Sequence, residues 1–214
     1  MAKNIYVGVS DVARKVSKAY VGVSGTARKI IKGYVGVNGV AQLFYSPSNA
    51  FTSSPIPRTW TAVLSGHYKG TNSYGEWECY MSESAYSSNY AYNSFDGDTS
   101  TMTRASDMGV TNKIYLNLPT GVTICPTKLS IVLGTRVSSG AKFEGGYTQT
   151  TFPFSDVWET LYTTTTATGS TSTTTLTPSV STSTNFTKFR FTYSSPSSYR
   201  GAIRELDITE GIIS

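Results

Sequence analysis

Apolar and polar residues alternate along most of this chain with a period of two, the spacing of a half-buried β-strand. Ile114/Leu116/Leu118, Leu129/Ile131/Leu133 and Phe189/Phe191/Tyr193 each place three large apolar side chains on one face. Strands are expected at 60–64, 76–81, 113–118, 127–133, 157–162, 186–193 and 202–209. Seven or eight short strands without a helical period predict an antiparallel β-sandwich of the jelly-roll kind. The stretch 163–187 holds 13 threonines. The branched threonine Cβ favours extended backbone, so this stretch is read as two strands and a hairpin loop rather than as a disordered linker.

The first 45 residues follow a stricter pattern. Tyr6-Val-Gly-Val-Ser-Asp-Val-Ala-Arg-Lys returns at Tyr20 and, ending Ala-Gln-Leu, at Tyr34, a period of 14 held twice. Each unit reads as strand, two-residue turn, strand, with Ser10-Asp11, Ser24-Gly25 and Asn38-Gly39 in the turns. That register sets Tyr6 across from Lys15, Val7 from Arg14 and Val9 from Val12. With turns at Lys18-Ala19 and Lys32-Gly33, the three units form a six-stranded meander. A thin valine face in so short a segment is too small a core to stand alone. Tyr6, Val9, Tyr20, Val23, Tyr34 and Val37 are therefore candidate anchoring or oligomerisation positions, and a trimer is the expected assembly.

Charge divides along the same line. Residues 1–45 carry seven basic side chains and one acid, a net of +6; residues 46–214 carry eleven and twelve, a net of −1. The overall +5 would point to nucleic acid. The basic residues are confined to the repeat, where Arg-Lys pairs on strand edges discourage aggregation, and no aromatic–basic reading motif accompanies them. No nucleic-acid partner is expected. Neither is membrane insertion, since no apolar run approaches the length of a span, nor a secretory leader at the start. Charged residues make up only 14% of the chain, against 62 serines and threonines, so the surface is wetted by hydroxyls.

The triple Tyr-Val-Gly-Val-x-Gly-x-Ala-Arg-Lys unit resembles the start of tail and other virion structural proteins of phages and prophages of Gram-positive bacteria. The resemblance covers residues 3–45. It implies a virion component, assembled in the bacterial cytoplasm with other virion proteins as partners, and does not choose between head, neck and tail.

Residues 46–58 hold three prolines among small polar residues and are read as a semi-rigid linker between a 1–45 module and a 59–214 domain. Within the latter, Ala91-Tyr-Asn-Ser-Phe-Asp-Gly-Asp-Thr-Ser-Thr and Ala202-Ile-Arg-Glu-Leu-Asp-Ile-Thr-Glu-Gly, in that order, resemble two motifs of the discoidin domain, the galactose-binding-like jelly roll. In carbohydrate-binding members of that family the Asp-Gly loop and the terminal Glu clasp a structural calcium. Carried over, this implies side-chain ligation by Asp96 and Glu205, carbonyl ligation by Asn93, Asp98 and Ala202, and both from Thr101. Calcium takes six to eight hard oxygens, and a Gly-containing turn converges carbonyls without steric cost. The competing reading is an ordinary Asx turn at Asp96 and a solvated Glu205.

A sugar site in such a fold belongs on the loops at one end, with an aromatic surface and a few polar groups. His67, Tyr68 and Arg136 are the first candidates; Trp77, Tyr147, Trp158 and Tyr199 follow, with Trp77 and Trp158 placed in the core. Catalysis has little material: one histidine, no Gly-x-Ser-x-Gly elbow, and in Glu76/Glu78 only a carboxylate pair common on exposed strands. Cys79 and Cys125 are expected reduced. The expectation is a non-enzymatic virion protein, anchored by its repeat and displaying a jelly roll that meets host-surface glycans. The alternatives are a structural head-fibre, decoration or neck component that binds no sugar, and a prophage-encoded carbohydrate-binding accessory protein.

Overall fold

The computed structural model describes residues 6–9, 12–15, 19–23, 26–30, 33–37, 40–45, 50–64, 66–148 and 155–214. The repeat forms three β-hairpins. β1 (Tyr6–Val9) pairs with β2 (Val12–Lys15), β3 (Ala19–Val23) with β4 (Thr26–Ile30), and β5 (Gly33–Val37) with β6 (Val40–Tyr45). The first has Tyr6 opposite Lys15, Val7 opposite Arg14 and Val9 opposite Val12, as the alternation requires. Tyr20 likewise meets Lys29 and Val23 meets Thr26, while Tyr34 meets Leu43 and Val37 meets Val40. The expected meander does not form among the described residues: the hairpins are three separate two-stranded sheets, with Ala19 and Gly33 inside strands. The turn pairs Ser10-Asp11, Ser24-Gly25 and Asn38-Gly39 lie outside the described residues.

Residues 50–214 fold as two antiparallel sheets. β7 (Ala50–Phe51), β11 (Thr103–Arg104), β13 (Ile124–Leu133), β16 (Thr174–Leu176) and β18 (Ala202–Ile213) form one, in the order β11-β18-β13-β16 with β7 beside β18. β8 (Thr61–Leu64), β9 (His67–Asn72), β10 (Gly75–Met81), β12 (Thr111–Asn117), β14 (Lys142–Thr148), β15 (Asp156–Thr163) and β17 (Lys188–Ser194) form the other, ordered β15-β14-β17-β12-β10-β9-β8. Ile114, Leu116, Phe189 and Phe191 of the larger sheet bury against Leu129, Ile131, Leu206 and Ile208 of the smaller. Trp77 lies fully in this core, whereas Trp158 is half-buried on the outer face. Cys79 and Cys125 are buried and form no disulfide.

Two expectations are corrected. Residues 50–58, read as linker, belong to the sandwich: Phe51 and Ile56 are buried in the core and β7 adds to the last strand. The threonine-rich stretch contributes one short strand, β16, on the edge of the smaller sheet, not a hairpin. The aromatic strand β17 pairs instead with β12 and β14. β9 and β14 were not anticipated. Gly70 and the Gly145-Gly146 pair break their apolar pattern, and the reason is spatial: a Cβ at Gly145 would come within 2.5 Å of the Phe186 ring.

Strand direction places one set of loops together: 82–110, 134–141, 164–173 and 195–201 all leave the same end of the sandwich. That end carries the site.

Candidate functional site

β18 is covered on both faces, so its alternation buries Leu206 and Ile208 toward the core and Glu205 and Asp207 toward a second wall. That wall is Arg58. Its Nη1 donates to Glu205 Oε1 at 2.8 Å and to the Phe95 carbonyl at 3.3 Å, and its Nη2 donates to Asp207 Oδ2 at 2.5 Å. The Arg58 stem lies against Gly97, where a Cβ would sit 3.2 Å from Arg58 Cδ. Gly97, at φ +78°, donates its N–H to Glu205 Oε2 at 3.1 Å. One guanidinium thus ties the Asp-Gly loop to the last strand. Burial pushes the Glu205 carboxyl up to about 8, and repulsion from Asp207 and Asp96 adds to it, while Arg58 and the Gly97 N–H pull the other way. Burial opposes the charge of Arg58, but Asp207 and Glu205 outweigh it and raise its pKa.

Beside this clasp, Asn93 ends up 7% exposed in a 3-10 turn, Ala91–Ser94, its side-chain amide donating to the Ser88 and Met102 carbonyls at 3.2 and 2.8 Å. Its own carbonyl joins a small cluster of oxygens. Thr101 Oγ1 lies 3.3 Å from Asn93 O, 2.9 Å from Asp96 Oδ2 and 2.9 Å from Asp98 O. A hydroxyl has one proton, so it serves one of these three acceptors at a time, and Asp98 O also takes the Thr101 N–H at 3.2 Å. The converging oxygens of these four residues are of the hard kind that calcium takes. The other two expected ligands are engaged by the protein: Ala202 O accepts from Gly134 N at 2.9 Å, and Glu205 from Arg58 and Gly97. Among the described residues no group of three or more His, Cys, Asp or Glu is arranged for a metal, since this cluster is largely carbonyl and hydroxyl.

The structure does not bring His67, Tyr68 and Arg136 into one cleft. Tyr68 is buried against Tyr90 and Tyr92, with ring centroids 5.5 and 4.8 Å away, and lines an aromatic cleft with Trp60. His67 stacks on Tyr80 at 4.7 Å and lies 3.0 Å from Glu78 Oε1. Tyr80 in turn stacks on Tyr115, also at 4.7 Å, so His67 ends an aromatic ladder on the outer face of the larger sheet. Burial alone would raise Glu78, but hydrogen bonds from His67 and Asn117 hold its carboxyl below the usual range.

Arg136 lines a separate cleft of about 330 Å³ at the loop end, with Tyr86, Arg104, Tyr199 and Arg200. Its guanidinium lies 3.4 Å above the Tyr199 ring centre, and that of Arg200 lies 4.3 Å from the Tyr86 ring centre. Arg136 has φ +60°, a left-handed conformation that costs a non-glycine residue on the order of 1 kcal/mol. Tyr86, Arg104 and Arg200 escaped the sequence reading. Tyr86 and Arg200 lie in polar loops and Arg104 in the two-residue strand β11, none with a periodic signal, and only the convergence of the 82–110 and 195–201 connections makes them neighbours.

Neither a protein-family model nor a curated protein sequence matches the chain. Solved structures do. Chitosan-binding module 2 of a chitosanase/glucanase from Paenibacillus sp. IK-5, in complex with chitotriose, is 17% identical over 60% of this chain and 92% of its own, with a TM-score of 0.47. The CBM62 of Xyl5A from Clostridium thermocellum is 24% identical over 63% and 91%, with a TM-score of 0.43. CBM32-1 of a family 31 glycoside hydrolase from Clostridium perfringens is 16% identical over 63% and 93%, with a TM-score of 0.45.

Proposed function

We propose that this chain is a non-enzymatic glycan-binding virion protein. The observation that carries the binding half is the loop-end cleft, in which Arg136 is held in a left-handed backbone and stacked on Tyr199. A polar, cationic residue kept in a strained conformation at a solvent-open cleft has a use other than packing. The virion half rests on the repeat: three hairpins of one register, the first two carrying Arg-Lys pairs, which suit anchoring among other virion proteins as a homo-oligomer, with a trimer as the expected form. Many copies on one particle would turn weak single sites into firm attachment to a host-surface glycan. Calcium bound by Asn93, Asp96, Asp98 and Thr101, beside the Arg58–Glu205 clasp, would stiffen the adjoining loop.

A glycan array probed with the full chain tests the binding half; no retained glycan overturns it. Particles assembled with a chain lacking residues 1–45 test the anchoring half, with loss of incorporation expected. One observation favours a second, purely structural reading as a head-fibre, decoration or neck component. Edge strand β8 is exposed along its whole length, with Leu64 72% and Val63 45% exposed, and such an edge can take another protein's strand. Recovery of β8 as a protected segment in assembled particles, together with an empty array, would establish it.

A further inference from the structure

The loop-end cleft contains three guanidinium groups and no carboxylate. Elsewhere in residues 50–214, Arg58, Arg190, Lys69, Lys128 and Lys188 each rest on an Asp or Glu. Arg104, Arg136 and Arg200 make no such pair among the described residues. Residues 46–214 carry eleven basic and twelve acidic side chains, so this concentration is local and not a reflection of overall charge.

The stacking decides what such a cleft can hold. A neutral sugar is gripped by laying its apolar face on an open aromatic ring. Here Arg136 covers Tyr199 at 3.4 Å and Arg200 covers Tyr86 at 4.3 Å, so each ring has a face occupied by a cation. Stacking spends the flat face of a guanidinium and leaves its N–H edge for an in-plane, two-pronged bond to an oxyanion. Arg200 commits its Nε to the Ser106 carbonyl at 2.5 Å, which orients the group and keeps the outer nitrogens available. Arg104 Nε is buried with no hydrogen-bond partner, and its Nη2 has only the Met102 sulfur at 3.1 Å, a weak acceptor. Nη2, held only by that weak acceptor, is left with capacity for a stronger one.

We infer that this cleft binds an anionic glycan: a saccharide whose carboxylate or phosphate is held by Arg104, Arg136 and Arg200. The inference rests on the glycan-binding reading above and names its ligand class. At about 330 Å³ the cleft is at the small end of ligand sites, so one charged unit of a longer polymer is the recognised element.

The test is calorimetric titration of the full chain with polygalacturonate, with poly(glycerol phosphate) and with a neutral galactan, each at low and high salt. At least one anionic polymer is expected to bind about tenfold or more tighter than the galactan, with affinity falling as salt rises. Whichever of the two binds identifies the oxyanion as carboxylate or phosphate. Arg136→Gln/Arg200→Gln is expected to lose that binding by about tenfold or more, while Lys128→Gln, which removes a charge away from the cleft, stays within about twofold. Should the double variant not melt cooperatively, Arg104→Gln takes its place with the same expected loss. Three results overturn the inference. Equal binding of the galactan, insensitive to salt, leaves the glycan reading standing and removes the anionic one. Anion binding undiminished in the cleft variants belongs to the basic repeat instead. Binding of no polymer at all removes the anionic reading, while the glycan reading falls only if the array retains nothing as well.

Discussion

Arg58 and Glu205, 147 residues apart in the chain, meet at 2.8 Å between Nη1 and Oε1. Through that bond and a second to Asp207, one guanidinium bridges two carboxyl groups that share a face of the last strand, and its stem packs on Gly97 of the Asp-Gly loop. The loop, the start of the sandwich and its final strand are thereby closed on one another.

Removing the guanidinium takes the cation away from two buried carboxyl groups and leaves them only the Gly97 and Ile208 N–H groups. A fully buried pair broken in this way costs about 3–5 kcal/mol. Arg58 is 40% exposed, so water softens the loss and about 2 kcal/mol is expected for Arg58→Ala. Arg58→Lys restores the charge but cannot span both carboxylates and recovers only part. Urea midpoints of the three proteins check this; an Arg58→Ala midpoint equal to the parent's would show that the clasp contributes nothing.

Stability also depends on the proton of Glu205. Its carboxyl, pushed up by burial to about 8, holds a proton in the folded chain at a pH where the unfolded chain has released it. Between the ordinary carboxylate value and about 8 the folded state therefore binds more protons, and stability falls as pH rises through that window. A loss of up to about 3 kcal/mol from pH 5 to pH 8 is expected on this account. Glu205→Gln, neutral throughout, should flatten the profile. An unchanged slope in that variant would assign the pH dependence elsewhere.

Calcium should stabilise the loop through Thr101 and its neighbours without being needed for folding, because Arg58 closes the other half of the clasp by itself. Millimolar calcium is expected to raise the melting temperature by about 5 °C over chelator-treated protein, which should still melt cooperatively. Thr101→Val, lacking the hydroxyl, should lose that response. A melting curve indifferent to both calcium and chelator would remove the ion from the account.

Gly145 tests the packing of the larger sheet. Its missing side chain makes room for the Phe186 ring, which would lie 2.5 Å from a Cβ there. Gly145→Ala is expected to destabilise by about 3 kcal/mol, and Phe186→Leu in the same chain to recover part of it. Additive losses in the double variant would mean that the two positions do not compete for space.

The strands that alternate cleanly, such as Ile114–Leu116 and Phe189–Phe191, were legible because burial on one face imposes a period of two on any half-buried strand. The hairpin register was legible for a related reason: the repeat places Tyr6 and Lys15 at positions that only one pairing satisfies. Where glycine replaced the apolar partner, as at Gly70 and Gly145-Gly146, the pattern vanished and β9 and β14 with it. The calcium-site candidates were half legible. Asn93, Asp96, Asp98 and Thr101 lie within nine residues and converge by local turns, whereas the partners of Glu205 could not be read from its own strand.

What the amino-acid sequence determines by itself is local: the alternation that makes sheets, the register of the repeat strands, the Asp-Gly loop and the uneven division of charge. Such features depend on neighbours within a few residues, and composition and spacing record them directly. The tertiary structure decides which distant residues meet. It draws residues 50–58 into the sandwich, sets Arg58 against Glu205 and Asp207, and gathers Arg104, Arg136 and Arg200 at one end with Tyr86 and Tyr199 beneath two of them. Those side chains come from segments far apart in the chain (Arg58 between β7 and β8, the 82–110 and 195–201 connections, the 134–141 loop and β18), and no local energy favours one partner over another. Only the closing of two sheets over a shared core fixes the distances between them, and those distances gather isolated arginines into one cleft.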